Sequence, residues 1–135
     1  MIKKIAHIGI AVTDLEKQVK FYRETLGFSF EGYEDLPKRG LKIGLFDIGG
    51  VKIELLQPTG TDSAIAKFLE EKGEGVHHLA FEVRDIKEEL GRLKAAGIEL
   101  IDSEPRPGVG EAMIAFLNPK STGRVLIELC ETKNH

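Results

Sequence analysis

The segment His7-Ile-Gly-Ile-Ala-Val-Thr-Asp14 returns 71 residues later as His78-Leu-Ala-Phe-Glu-Val-Arg-Asp85. A chain that repeats a segment in this way is expected to fold as two like units. The likeness runs on past the histidines. Leu15, Val19 and Tyr22 stand at i, i+4 and i+7, the apolar stripe of an amphipathic helix, and Ile86, Leu90 and Leu93 form the same stripe. Thr13-x-x-Glu16 reads as a capping box, and Asp85-x-x-Glu88 as its variant with Asp as cap. Gly27 and Gly97 stand where a glycine just past a helix C-terminus ends it.

After each helix come short apolar runs broken by Gly, Pro and Asp, which predict strands near 28–33, 41–48 and 51–57, and near 98–101, 112–117 and 124–130. The plan is strand–helix–strand–strand–strand, twice: an α+β chain of two tandem βαβββ modules. Module 1 spans about 1–60 and module 2 about 74–132, with a short helix expected from Ser63 to Lys72 between them. At 135 residues the whole chain, 1–135, reads as one domain. Each half alone would bury only about 60% of its surface, so the halves are expected to share a core or a site, or to pair with a second chain.

Strand alternation puts chemistry on one face. His7 shares its face with Gly9 and Ala11, opposite Ile8, Ile10 and Val12; His78 shares its face with Ala80 and Glu82, opposite Leu79, Phe81 and Val83. The bulky residues are expected to face the helices, and the small ones to leave open space beside each histidine, as a concave site requires. Each half also ends in an apolar strand bearing a glutamate, Ile53-Glu54-Leu55 and Ile127-Glu128-Leu129. A carboxylate buried without a partner costs several kcal/mol or more, so such groups are paired or bind metal. Any one of these residues alone would read as an ordinary strand residue. Four placed equivalently in two repeats read as one divalent-metal site with ligands His7, Glu54, His78 and Glu128. The His-to-Glu spacings, 47 and 50 residues, agree. Imidazole with carboxylate suits Zn, Co, Ni, Mn or Fe(II). His77 is a rival to His78, but the 71-residue offset selects His78 and alternation turns His77 to the other face. His135 ends the chain and is expected to be disordered.

Other features carry less. Gly73-Glu-Gly75 and Gly108-Val-Gly110 neither follow a strand nor open a helix, so they are not nucleotide loops. Cys130, on the face of Glu128, reads as a packed residue; as a lone cysteine it forms no intrachain disulfide and suits a reducing cytoplasm. Lys38-Arg39, Lys120 and Arg124 are able to bind phosphates, but each taken singly reads as solvated surface. A net charge of −3 gives no reason to expect nucleic acid or an anionic membrane as partner, and no apolar stretch has the length of a membrane span or the make-up of a signal peptide.

These motifs together resemble the vicinal oxygen chelate superfamily over essentially the whole chain. Within it, His7-Ile-Gly-Ile-Ala-Val12, Ile53-Glu-Leu-Leu-Gln-Pro58, Ser63-Ala-Ile-Ala-Lys-Phe-Leu69, Gly75-Val-His-His-Leu-Ala-Phe81, Ala115-Phe-Leu-Asn-Pro-Lys-Ser121 and Val125-Leu-Ile-Glu-Leu129 resemble the methylmalonyl-CoA epimerase family. The resemblance implies a cupped, incompletely closed mixed sheet around one divalent transition metal, Co, Zn, Ni or Mn. It implies the same four ligands, with Gln also found in epimerases at the Glu54 position. There are departures. Asn118 stands where epimerases usually have His, Glu111 where Gly is common, Gly123-Arg124 alters the turn after Pro-Lys-Ser, and Leu41-Lys-Ile-Gly-Leu45 lacks the acid that some epimerases carry there.

The function so implied is epimerisation of 2-methylmalonyl-CoA, or a similar 2-substituted acyl-CoA thioester, in a cytoplasmic homodimer. Inversion needs two proton carriers; Glu128 is the candidate for one, and Glu54 or a bound water for the other. A metal-dependent glyoxalase would use the same ligands, but Pro119-Lys-Ser121 differs from the Asp-Pro-Asp-Gly toward which glyoxalases tend. An Fe(II) extradiol dioxygenase wants two His and one carboxylate. A drug-sequestering protein needs no metal, and the full ligand set argues against it.

Overall fold

The structure, a computed structural model, describes residues 1–132; His135 lies outside them. The architecture is α+β, and the chain forms two compact units, His7–His77 and Met1–Ala6 with His78 onward.

In the first unit, β1 (Ile2–Ala11, of which residues 7–11 belong here) is followed by α1 (Leu15–Lys20), which continues through a π-helical turn, Phe21–Thr25. Then come β2 (Ser29–Leu36), β3 (Leu41–Ile48), β4 (Val51–Pro58) and α2 (Ala64–Lys72), the helix expected in the linker. The strands run in the order β2-β3-β4-β1, antiparallel except that β1 and β4 are parallel, with Gly9 opposite Glu54. The helical stripe read from the sequence is the packed one. Leu15 and Val19 join Val12, Phe46, Ile53 and Leu55 in a buried cluster, with Ile8, Ile10 and Tyr22 against it. Gly44 lets the helix lie this close: a Cβ there would meet the Val19 side chain at 2.8 Å.

The second unit repeats the plan with a poorer edge. It has β5 (Gly75–Val83, mostly here), α3 (Ile86–Ala95), β6 (Arg106–Pro107), β7 (Met113–Phe116) and β8 (Ile127–Glu131), in the order β5-β8-β7-β6. Again the first and last strands are parallel, Ala80 opposite Glu128. Val83, Ile86, Leu90, Ala115, Leu117 and Leu129 form the cluster under α3. The strand expected at 98–101 is reduced to one bridge, Leu100 to Leu117, because Ile98 and Leu100 turn into that cluster. The edge strand is instead the two-residue β6.

The helix starts show where the repeat holds. Asp85 caps α3 as expected, accepting from Glu88 N at 3.1 Å. In the first unit the cap is Asp14, the repeat partner of Asp85, accepting from Lys17 N at 3.2 Å. The expected capping box at Thr13 is therefore displaced by one residue. Thr13 instead donates from its backbone N–H and its hydroxyl to the Glu74 carboxylate, at 2.9 and 3.1 Å. Gly27 and Gly97, at φ 74° and 87°, end their helices as expected.

Candidate functional site

Each unit brings one histidine and one glutamate together. In the first, parallel pairing of β1 with β4 sets His7 and Glu54 side by side, with His7 Nε2 3.5 Å from Glu54 Oε1. In the second, β5 and β8 do the same, with His78 Nε2 3.5 Å from Glu128 Oε1. All four side chains are buried, none more than 8% exposed. The ladder holds them: a side-chain pair on neighbouring strands is fixed by main-chain hydrogen bonds and not by a loop.

The donor chemistry fits a metal. A separation of 3.5 Å is longer than a normal N–H···O bond. Two donors held by one ion at about 2.0–2.2 Å, with tetrahedral angles, stand roughly 3.3–3.6 Å apart. The same value in both units suits each pair to one edge of a coordination shell.

The surroundings of the second pair differ from the expected open face. Phe116, in register with Glu128, puts its ring edge-on to His78 at 5.7 Å between centroids. Ala80, Ile114, Phe116, Cys130 and Ala6 form a small apolar cluster there. The histidine thus stands over an apolar floor, which lowers the local dielectric and strengthens any charge interaction made above it. Cys130 is part of that floor, as its packed reading implied. His77 packs edge-on against Phe68 at 5.1 Å, in the first unit.

A further repeated feature joins each glutamate strand to its helix. Three residues past Glu54, Gln57 Oε1 accepts from Leu15 N at 2.7 Å; three past Glu128, Glu131 Oε1 accepts from Ile86 N at 2.8 Å. Leu15 and Ile86 are the first residues of α1 and α3. The sequence signal was present, an acceptor at the same offset from each glutamate, but its partners lie 42 and 45 residues away. The departures from the epimerase pattern also find a place. Asn118 caps the turn Pro119–Ser121 by accepting from Lys120 N at 2.9 Å, and Ser121 Oγ accepts from Glu99 N. No helix among the described residues is long and apolar enough to cross a membrane.

A family profile described as the glyoxalase/bleomycin resistance protein/dioxygenase superfamily matches residues 6–116. The chain is 40% identical over 131 residues to the ethylmalonyl-CoA/methylmalonyl-CoA epimerase of Cereibacter sphaeroides, covering 96% of this chain and 98% of that one. It is 39% identical over 127 residues to the human mitochondrial methylmalonyl-CoA epimerase, covering 93% and 72%. Among solved structures, a variant of Streptomyces coelicolor methylmalonyl-CoA epimerase in complex with 2-nitronate-propionyl-CoA is similar at a TM-score of 0.94, with 36% identity and 99% and 97% of the two chains covered. With these likenesses spanning nearly its whole length, the chain belongs to the methylmalonyl-CoA epimerase family of the glyoxalase/bleomycin resistance protein/dioxygenase superfamily, a family of isomerases.

Proposed function

We propose that this protein is a metal-dependent epimerase of 2-methylmalonyl-CoA or a closely similar 2-substituted acyl-CoA. The observation that carries the reading is the pair of equivalent His–Glu contacts in a chain whose relatives are epimerases along their length. His7, Glu54, His78 and Glu128 together would hold one divalent transition metal, and the whole chain would act as one domain. When bound, that ion supplies Lewis-acid polarisation of the thioester oxygen, which acidifies the proton at C2.

The side chains do the rest. The two imidazoles are nitrogen donors and both carboxylates can take up a proton; Glu54 stands in register with Gly9 and Leu45. Glu128 stands in register with Phe116 and Ala80, both buried in the apolar floor. A carboxylate fixed by the ladder beside this floor is positioned to act as a general base toward a C–H bond. We therefore assign Glu128 the removal of the C2 proton on one face, and Glu54 chiefly the holding of the metal. A cytoplasmic homodimer belongs to the same proposal; sedimentation of the purified protein checks the dimer.

The test is incubation of the metal-loaded protein with methylmalonyl-CoA in deuterated water, following C2 by mass and NMR. Exchange that depends on metal is expected. Faster turnover of the methylglyoxal–glutathione hemithioacetal than of the CoA ester would replace this reading with a glyoxalase.

A further inference from the structure

We propose that Arg106 is a substrate-binding residue that takes an anionic group of the acyl thioester. This rests on the epimerase reading above.

The placement follows from register. Arg106 on β6 lies opposite Ile114 on β7, Ile114 lies opposite Cys130 on β8, and Phe116 lies opposite Glu128. Residues opposite one another in a ladder share a face of the sheet. Arg106 is therefore on the face that carries Glu128 and the apolar floor. A second observation agrees: the guanidinium carbon lies 5.5 Å from the centre of the Phe116 ring, and that ring meets His78. One aromatic ring separates the cation from the histidine.

The side chain is held, but not used up. Asp102 Oδ1 accepts from Arg106 Nε at 3.1 Å, while Asp102 Oδ2 accepts from Phe116 N at 2.8 Å. One carboxylate thus orients both the arginine and the strand carrying the aromatic ring. Gly108 lets this edge lie close, since a Cβ there would meet Ile114 Cγ2 at 2.6 Å. Among the described residues no second carboxylate lies within ion-pairing distance of Arg106, and its side chain is 45% exposed. The two terminal nitrogens form a planar fork suited to an oxyanion, which is how arginine binds carboxylates and phosphates. Cation–π packing and the bond to Asp102 fix the fork in advance, so binding loses little side-chain entropy.

The oxyanion is either the carboxylate on C2 or a phosphate of the CoA. Two substrates separate these sources: methylmalonyl-CoA, and the methylmalonyl thioester of N-acetylcysteamine, which has no phosphate. Arg106→Gln is expected to raise KM for methylmalonyl-CoA by about tenfold to a hundredfold, the size of a lost charge-assisted hydrogen bond, with kcat changed far less. Arg106→Lys should recover part of the loss. A penalty that persists on the short thioester assigns the carboxylate; one that vanishes assigns a phosphate. An unchanged KM on methylmalonyl-CoA, or equal loss with Gln and Lys accompanied by a lower melting temperature, overturns the proposal and leaves Arg106 as a prop for Phe116. The same proteins are titrated calorimetrically with methylmalonyl-CoA. Wild-type protein that binds the thioester without exchanging C2 sinks the epimerase reading alone; weaker binding by Arg106→Gln then still supports the arginine, and equal binding sinks it. Absence of binding by the wild type sinks both.

Discussion

The two helix starts offer a matched experiment that the fold itself sets up. Glu131 accepts from Ile86 N at 2.8 Å, and Gln57 accepts from Leu15 N at 2.7 Å, one acceptor charged and the other neutral. Ile86 and Leu15 are only 3% and 2% exposed, so water cannot readily replace a lost acceptor. Glu131→Ala leaves a buried N–H unsatisfied, a cost of about 1–3 kcal/mol, here taken as about 2 because Asp85 still caps the next turn. For 135 residues the unfolding entropy is about 0.28 kcal/mol/K, so the expected loss is about 7 °C in melting temperature. Glu131→Gln converts the second module to the first module's version. It keeps the acceptor and loses only the charge at the helix N-terminus, about 0.3–1 kcal/mol or about 1–4 °C. That smaller loss should shrink in about 1 M salt, where the screening length is about 3 Å. Gln57→Ala should resemble Glu131→Ala but show no salt dependence. The assay is thermal unfolding at low and high salt. If Glu131→Gln costs as much as Glu131→Ala, or if salt leaves the loss in Glu131→Gln unchanged, the contact is not acting through its acceptor and charge as argued.

Two further outcomes are expected. Glu54→Gln should keep the metal and much of the activity, since an amide oxygen can still coordinate, whereas Glu128→Gln should keep the metal and lose about 10²- to 10⁴-fold in C2 exchange; metal analysis with exchange rates checks both, and the reverse pattern swaps the roles. Glu89 is buried and paired with Arg92 and the terminal amine of Met1, and the Arg92 hydrogen bond holds its carboxyl below the usual glutamate range. Its contribution should therefore be full above the ordinary value of about 4.3 and fade as pH falls through the lower folded value, so the stability gap between wild type and Glu89→Gln, measured in urea, should close in acid.

The repeat made much of this legible. Both helices, the strands that carry the histidines and glutamates, and the four candidate residues followed from periodicity and from one offset, because those signals are local or duplicated; the parallel pairing of those strands did not. What escaped was decided at a distance. Thr13 and Asp14 are both competent caps, and Glu74, 61 residues from Thr13, draws the threonine away. The run 98–101 has the composition of a strand, yet its apolar side chains are worth more in the cluster under α3 than in a ladder. The strands expected from the sequence do not include Arg106-Pro107, where a proline without a donor suits only an edge. Only the pairing with β7 makes it an edge strand and aims the arginine.

The pairing of each histidine strand directly with its glutamate strand has a consequence for descent. Between His7 and Glu54 the chain travels through a helix and a hairpin, and between His78 and Glu128 through a helix, the paired strands β6 and β7 and the turn Pro119–Ser121. None of those excursions sets the distance between the two donor atoms, because adjacency in the ladder does. Insertions and deletions in the excursions can therefore accumulate in a lineage without disturbing either donor pair. The spacing of each His–Glu pair is therefore inherited with its ladder.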